Sequence, residues 1–127
     1  MTDLAILILR VFLGIVMIPH GVHKLQIRNV LDKKWRDEYG FPVGSVLLTG
    51  IIQIVGGVAL ILGVYGRYNA LIQAVIMVVA TYVSIWKHRE PFPSLPTGKG
   101  WDVNFLLVGA FVVLMLLGDG SWALLGW

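Results

Sequence analysis

The chain has 127 residues, of which 57% are hydrophobic and 13% charged, with a mean hydropathy of +0.83 and a net charge of +3. About a quarter of residues are charged in an average soluble protein, so folding in water would leave most of this apolar surface exposed. Eight of the ten Lys and Arg fall in two connecting stretches rather than on one face, which excludes a nucleic-acid groove and reads the charge as membrane topology. The absence of Cys removes disulfide relays, thiolate nucleophiles and thiolate metal sites together.

The first apolar run, residues 4–22, is long enough at about 1.5 Å per residue to cross a hydrocarbon core of about 30 Å. No small-residue cleavage pattern follows it, so it is read as a retained helix rather than a signal peptide. It carries Arg10 near one end and Pro19, His20, Gly21, His23 and Lys24 at the other. Pro19 lacks an amide hydrogen and frees the carbonyl of Ile15, predicting a bend just before His20. Residues 26–41 interleave Arg28, Asp32, Lys33, Lys34, Arg36, Asp37 and Glu38 with Ile27, Val30, Leu31 and Trp35. This pattern fits an amphipathic helix at the headgroups or a solvated loop.

Phe41, Pro42, Val43 and Gly44 punctuate the chain before a second apolar helix, residues 44–64, in which Gly50, Gly56, Gly57 and Gly63 allow close helix approach and Gln53 lies near the middle. The short link to Arg67 forces the third helix, residues 68–86, to run antiparallel beside the second. On a helical wheel its residues Gln73, Met77, Thr81, Ser84 and His88 share one quadrant, predicting a polar stripe toward the bundle. Residues 87–101 carry Pro91, Pro93, Pro96, Gly98 and Gly100 and read as an ordered loop. Asp102 is a candidate cap for the fourth and shortest helix, residues 102–118. The terminal stretch from Ser121, with Trp122 and Trp127, suits an interfacial anchor.

The expected fold is therefore an all-α integral membrane protein, a four-helix antiparallel bundle forming one transmembrane domain over residues 1–127. Such threading puts both long loops on one side, and the excess of Lys and Arg there predicts that the loops are cytoplasmic and both termini outside. It also brings His20, His23, Lys24, His88, Asp102 and Asn104 to one end of the bundle, with Gln53 deeper. Charged side chains at membrane depth are costly and seldom left facing lipid, so this cluster is the candidate ligand site. Arg10, Arg67 and Gln73 are read as structural polar residues, Arg10 either snorkelling to headgroups or pairing with Asp119.

These residues resemble the DoxX family of small four-helix membrane proteins, related to the DoxD subunit of thiosulfate:quinone oxidoreductases. The likeness lies in LRVFLGIVMIPHGVHKL, which ends in a His-Gly-x-x-Lys-Leu pattern at His20, Gly21, Lys24 and Leu25. It continues in GIIQIVGGVALILGVYGRYNAL, with Gly56, Gly57, Gly63, Arg67 and Ala70, and at His88, Trp101, Asp102 and Asn104. Gln53 stands where the family commonly carries Glu in helix two, and Asp102 where it commonly carries Glu ahead of helix four. Gln cannot titrate, which removes a proton-coupled role from that helix-two position.

The resemblance implies a non-autonomous subunit or partner of a membrane redox system, bound to a soluble oxidoreductase at the cytoplasmic face. Quinone is the ligand it suggests, with His20 and Lys24 bonding a quinone oxygen and His88 or Asp102 relaying protons. A haem between His20 or His23 and His88 is the disfavoured alternative, and no other metal is expected. The sequence shows no haem attachment motif, dinucleotide fingerprint or Cys cluster, so no autonomous catalytic centre is assigned. Two other functional classes are a small transporter or lipid-binding protein and a structural anchor for a soluble partner. The glycine-rich second helix is equally compatible with a homo-oligomer.

Overall fold

The computed structural model describes residues 1–42, 44–96 and 98–124. Five helices follow one another: α1 (Thr2–Gln26), α2 (Arg28–Tyr39), α3 (Ser45–Leu62), α4 (Gly66–Tyr82) and α5 (Asp102–Leu117). The end of α4 widens into a π-helical turn, Val83–Lys87, in which the His88 amide reaches back five residues to the Val83 carbonyl at 2.9 Å. Helices α1 and α3, and α4 with its π-helical end, are each long and apolar enough to cross a membrane; α5 is apolar and shorter. The protein is an all-α membrane bundle, with α2 a fifth helix where the sequence left a choice between helix and loop.

Local chemistry accounts for the breaks. Helix α2 stops at Gly40, which takes the left-handed conformation (φ 72°) that costs a residue without Cβ little. Helix α3 ends in the same way at Gly63 (φ 78°), whose amide bonds the carbonyls of Ala59 and Leu60. The buried amide at the start of α4 is satisfied from far along the chain, because Gly66 N donates to Asp119 Oδ2 at 2.6 Å. Pro19 lies inside α1, and the helix nevertheless continues to Gln26.

Packing divides the bundle into two tight pairs. Helix α1 lies on α3 along a seam of glycines: a Cβ on Gly14 would come within 2.5 Å of the Gly57 carbonyl, and one on Gly21 within 2.5 Å of the Gly50 carbonyl. Close backbone approach of this kind is how helices associate in lipid, where hydrophobicity offers no drive between them. The glycines of α3 are therefore used within the chain. Helix α4 packs on α5, and the core joins Ala70, Ala74 and Met77 to Leu107, Phe111 and Leu114, with Ile6, Leu13 and Met17 of α1 and Leu60 of α3.

Contact between the pairs is sparser. Near their connecting turn α3 and α4 are stitched by side chains, Asn69 Nδ2 donating to the Gly56 carbonyl at 2.8 Å and Gln73 Nε2 to the Ile52 carbonyl at 3.0 Å. Beyond these bonds the two helices part, and a cavity fills the space. The outer surface of the spanning helices is largely apolar, as lipid requires: Phe12 is 67% exposed, Leu48 62% and Leu106 71%.

Candidate functional site

The cavity has a volume of about 550 Å³ and lies at the end of the bundle where both long loops emerge. One wall is α3, with Ser45, Thr49 and Gln53 at successive turns; the facing wall is the apolar flank of α4 from Val75 to Val83. Helix α2 covers it on the loop side with Leu31, Trp35 and Tyr39, spaced four residues apart and so on one helix face. Of the seven candidate site residues, His20, His23, Lys24, Gln53, His88 and Asn104 line this cavity.

Two polar pairs border it, one part-buried and one exposed at the rim. Lys24 Nζ of α1 donates to Gln53 Oε1 of α3 at 2.9 Å, placing an amine at the wall where the helix pair α1/α3 meets the cavity. Across from it the Tyr39 hydroxyl and His88 Nε2 are hydrogen-bonded, and their rings meet edge to face with centroids 5.7 Å apart. Burial raises the Tyr39 hydroxyl above its ordinary range, and the charges of Glu38 and Glu90 add to the effect. His20 Nδ1 lies 2.8 Å from the Val16 carbonyl. A carbonyl can only accept, so Nδ1 is the donor in this bond.

The π-helical turn sets the far wall. An extra residue in one turn rotates the downstream side chains relative to an ordinary helix, and such turns recur at functional sites. Here Ser84 meets Asn104 of α5, which donates to its hydroxyl at 3.1 Å, while His88 meets Tyr39. The stripe expected on α4 thus divides. Thr81 bonds back to the Met77 carbonyl of its own helix at 2.7 Å, whereas Gln73 crosses to α3.

Asp102 is the first residue of α5 rather than the residue before it, and it does not line the cavity. Its carboxylate closes the preceding loop, accepting from Ser94 N at 3.0 Å, Ser94 Oγ at 2.6 Å and Val103 N at 2.8 Å. Stacked against this clamp, the Phe92, Trp101 and Phe105 rings hold the loop in order. The acid that does line the cavity is Glu90, whose Oε2 is buried with no hydrogen-bond partner among the described residues. Sequence reading passed over Glu90, Lys99 and Tyr39. The four-residue spacing of Leu31, Trp35 and Tyr39 was the available signal for the last.

The remaining polar residues lie elsewhere. Arg10 does not snorkel: it is fully buried at the opposite end of α1, and its Nη2 donates to the Trp122 carbonyl at 2.5 Å. Gln73 is fully buried between α3 and α4, and Arg67 is exposed. Trp122 is 57% exposed; Trp127 and Val43 lie outside the described residues.

Comparison with known proteins gives a consistent picture. The uncharacterized protein YdgD of Bacillus subtilis (strain 168) is 29% identical over 82 residues, which cover 65% of this chain and 71% of that protein. The uncharacterized membrane protein Rv3486 of Mycobacterium tuberculosis is 24% identical over 130 residues, covering 94% of this chain and 78% of its own. No solved structure matches. The DoxX family model matches residues 5–86, from the first turns of α1 through the π-helical turn that sets the cavity's far wall, and the chain belongs to the DoxX family.

Proposed function

We propose that this membrane protein is a non-autonomous partner of a quinone-linked oxidoreductase and that its cavity holds the quinone ring. The observation that supports this reading is the pair of hydrogen-bonding poles, Lys24 with Gln53 and His88 with Tyr39, on either side of a cavity with an apolar wall. Pockets for small molecules have this character, mostly apolar with a few convergent polar groups, and volumes of about 300–1,000 Å³.

A bound quinone supplies a carrier of two electrons and two protons. The chain's own residues bind, orient and move protons. Lys24, steadied by Gln53, donates to one ring oxygen. His88 holds and delivers a proton at the other, with its ring fixed by the Tyr39 hydroxyl. The unpartnered Glu90 Oε2 accepts from a ring hydroxyl. The electrons come from a soluble oxidoreductase, because this sequence carries no carrier-binding motif. By the excess of basic residues in the two long loops, the cavity end faces the cytoplasm, where such a partner docks.

The test is purification from native membrane in mild detergent, followed by solvent extraction and chromatography for quinone. Quinone accompanies the wild-type chain and is lost from His88→Ala and from Glu90→Gln. If the wild-type chain carries neither quinone nor a soluble oxidoreductase, the redox reading fails.

A further inference from the structure

We propose that the ligand enters from the bilayer rather than from water, through the gap between the α1/α3 and α4/α5 pairs, with its hydrocarbon tail lying along Val75 and Val79. This rests on the reading of the cavity as a quinone site and names its route and the part of the ligand that the open side selects.

Val75 and Val79 both line the cavity, and yet they are 55% and 41% exposed on the apolar outer surface of α4. A side chain that faces the cavity and the lipid at once marks the place where the wall is open. The two are four residues apart, one above the other on the same helix face, and Val83 continues the line toward the polar end. From Val75 to Val83 this strip is about 12 Å long at 1.5 Å per residue. It is bare of polar atoms other than backbone already used within the helix.

The polar end is arranged in the opposite way. Lys24, Lys34, Lys99, His88 and Glu90 all line the cavity near the loops. On that side α2 closes it with Leu31, Trp35 and Tyr39, and Tyr39 is fastened to His88. The loop side is crossed by α2 and its Tyr39–His88 bond and lined by charged residues, of which His88 and Lys99 are exposed, whereas the exposed lining on the α4 side of the gap is valine. The α3 and α4 bonds that could draw the two pairs together, from Asn69 and Gln73, all lie toward the turn and none spans the opening. A molecule with an oxygen-bearing ring and a single flexible tail matches this polarity, ring toward Lys24 and His88, tail toward Val75.

The experiment uses the full chain in lipid nanodiscs, with quenching of Trp35, which lines the cavity, as the readout. The probes are a decyl-tailed benzoquinone and the same ring without the tail. Val75→Phe/Val79→Phe is expected to weaken the tailed probe about tenfold, the equivalent of losing the burial of roughly two methylenes. The tailless ring keeps its affinity within about twofold, which also shows that the variant is folded. Val78→Phe, at a position 52% exposed but outside the cavity lining, changes neither. Equal affinity of wild type and double variant for the tailed probe overturns the lateral route while leaving the ring site standing. A wild-type chain that binds neither probe overturns the ring site, and the route with it. Quenching of Trp35 by a brominated two-chain phospholipid that the tailed quinone fails to displace assigns the opening to lipid and overturns the proposal.

Discussion

Lys24 and Gln53 are 29 positions apart and meet at 2.9 Å across the α1/α3 seam, the amine donating to an amide that is 1% exposed. A glutamine here gives the lysine an acceptor without adding a second charge to a low-dielectric wall. Its removal leaves the amine without a partner. Gln53→Leu is expected to cost about 1.5–3 kcal/mol, the range for a hydrogen bond to a charged group. Lys24→Met in the same chain should restore most of that loss, so thermal unfolding in detergent would give a coupling above about 1 kcal/mol in a double-mutant cycle. Strictly additive losses would show that the two side chains do not act as a pair.

The Tyr39 hydroxyl, raised by burial and by Glu38 and Glu90, gives α2 a pH dependence of definite sign. A group whose folded pKa exceeds its unfolded value contributes stability that is present below the unfolded value, about 10 for tyrosine, and is lost as pH rises through the folded one. Protection over residues 28–39, taken as the exchange rate relative to the base-catalysed rate of an unstructured chain at the same pH, should therefore hold to about pH 10 and fall above it. Tyr39→Phe should lower this protection at neutral pH and abolish its alkaline loss. An alkaline step that survives in Tyr39→Phe would assign it to another group.

The glycine seam predicts opposite outcomes for one and the same substitution. Gly14→Ala and Gly21→Ala place a methyl against the carbonyls of Gly57 and Gly50, and overpacking of this kind costs about 1–3 kcal/mol. Gly109 on α5 has nothing within 4 Å of its missing Cβ. Gly109→Ala should be neutral or raise stability by up to about 1 kcal/mol through helix propensity. Melting curves of the three variants in one detergent check the ranking.

Arg10 ties the segment after α5 to the opposite end of α1. Its guanidinium is fully buried, bonded to the Trp122 carbonyl, and lies against Gly63, while Nε and Nη1 have no hydrogen-bond partner among the described residues. Arg10→Ala is expected to cost about 2–5 kcal/mol, the scale of large-to-small changes in packed interiors. Arg10→Met fills the volume and removes the buried charge, so much of the melting temperature should return. Protection of the Trp122 region in limited proteolysis should not return with it, because the bond to the carbonyl is still missing. Full protection in Arg10→Met would mean that packing alone holds the segment.

The residues themselves determined that this chain belongs in lipid and which stretches are its apolar helices, though not their ends, since α1 runs on to Gln26. Hydrophobicity along a chain is a one-dimensional quantity, and bilayer thickness converts it directly into crossings, so His20 and His88 had to become neighbours once the number of crossings was known. Whether a side chain faces a cavity, a neighbour or lipid depends on rotation about the helix axis, and a shift of one residue changes it by about 100°. That is why only the tertiary structure could decide that Asp102 closes a loop while Glu90 faces the cavity, and that the π-helical turn directs Ser84 to Asn104 and His88 to Tyr39. It also decided that α3 and α4, although joined by a link of only three residues, part beyond Gln73. The glycines of α3 bind it so closely to α1 that α4 follows α5 instead, and the space left between the two pairs is the cavity.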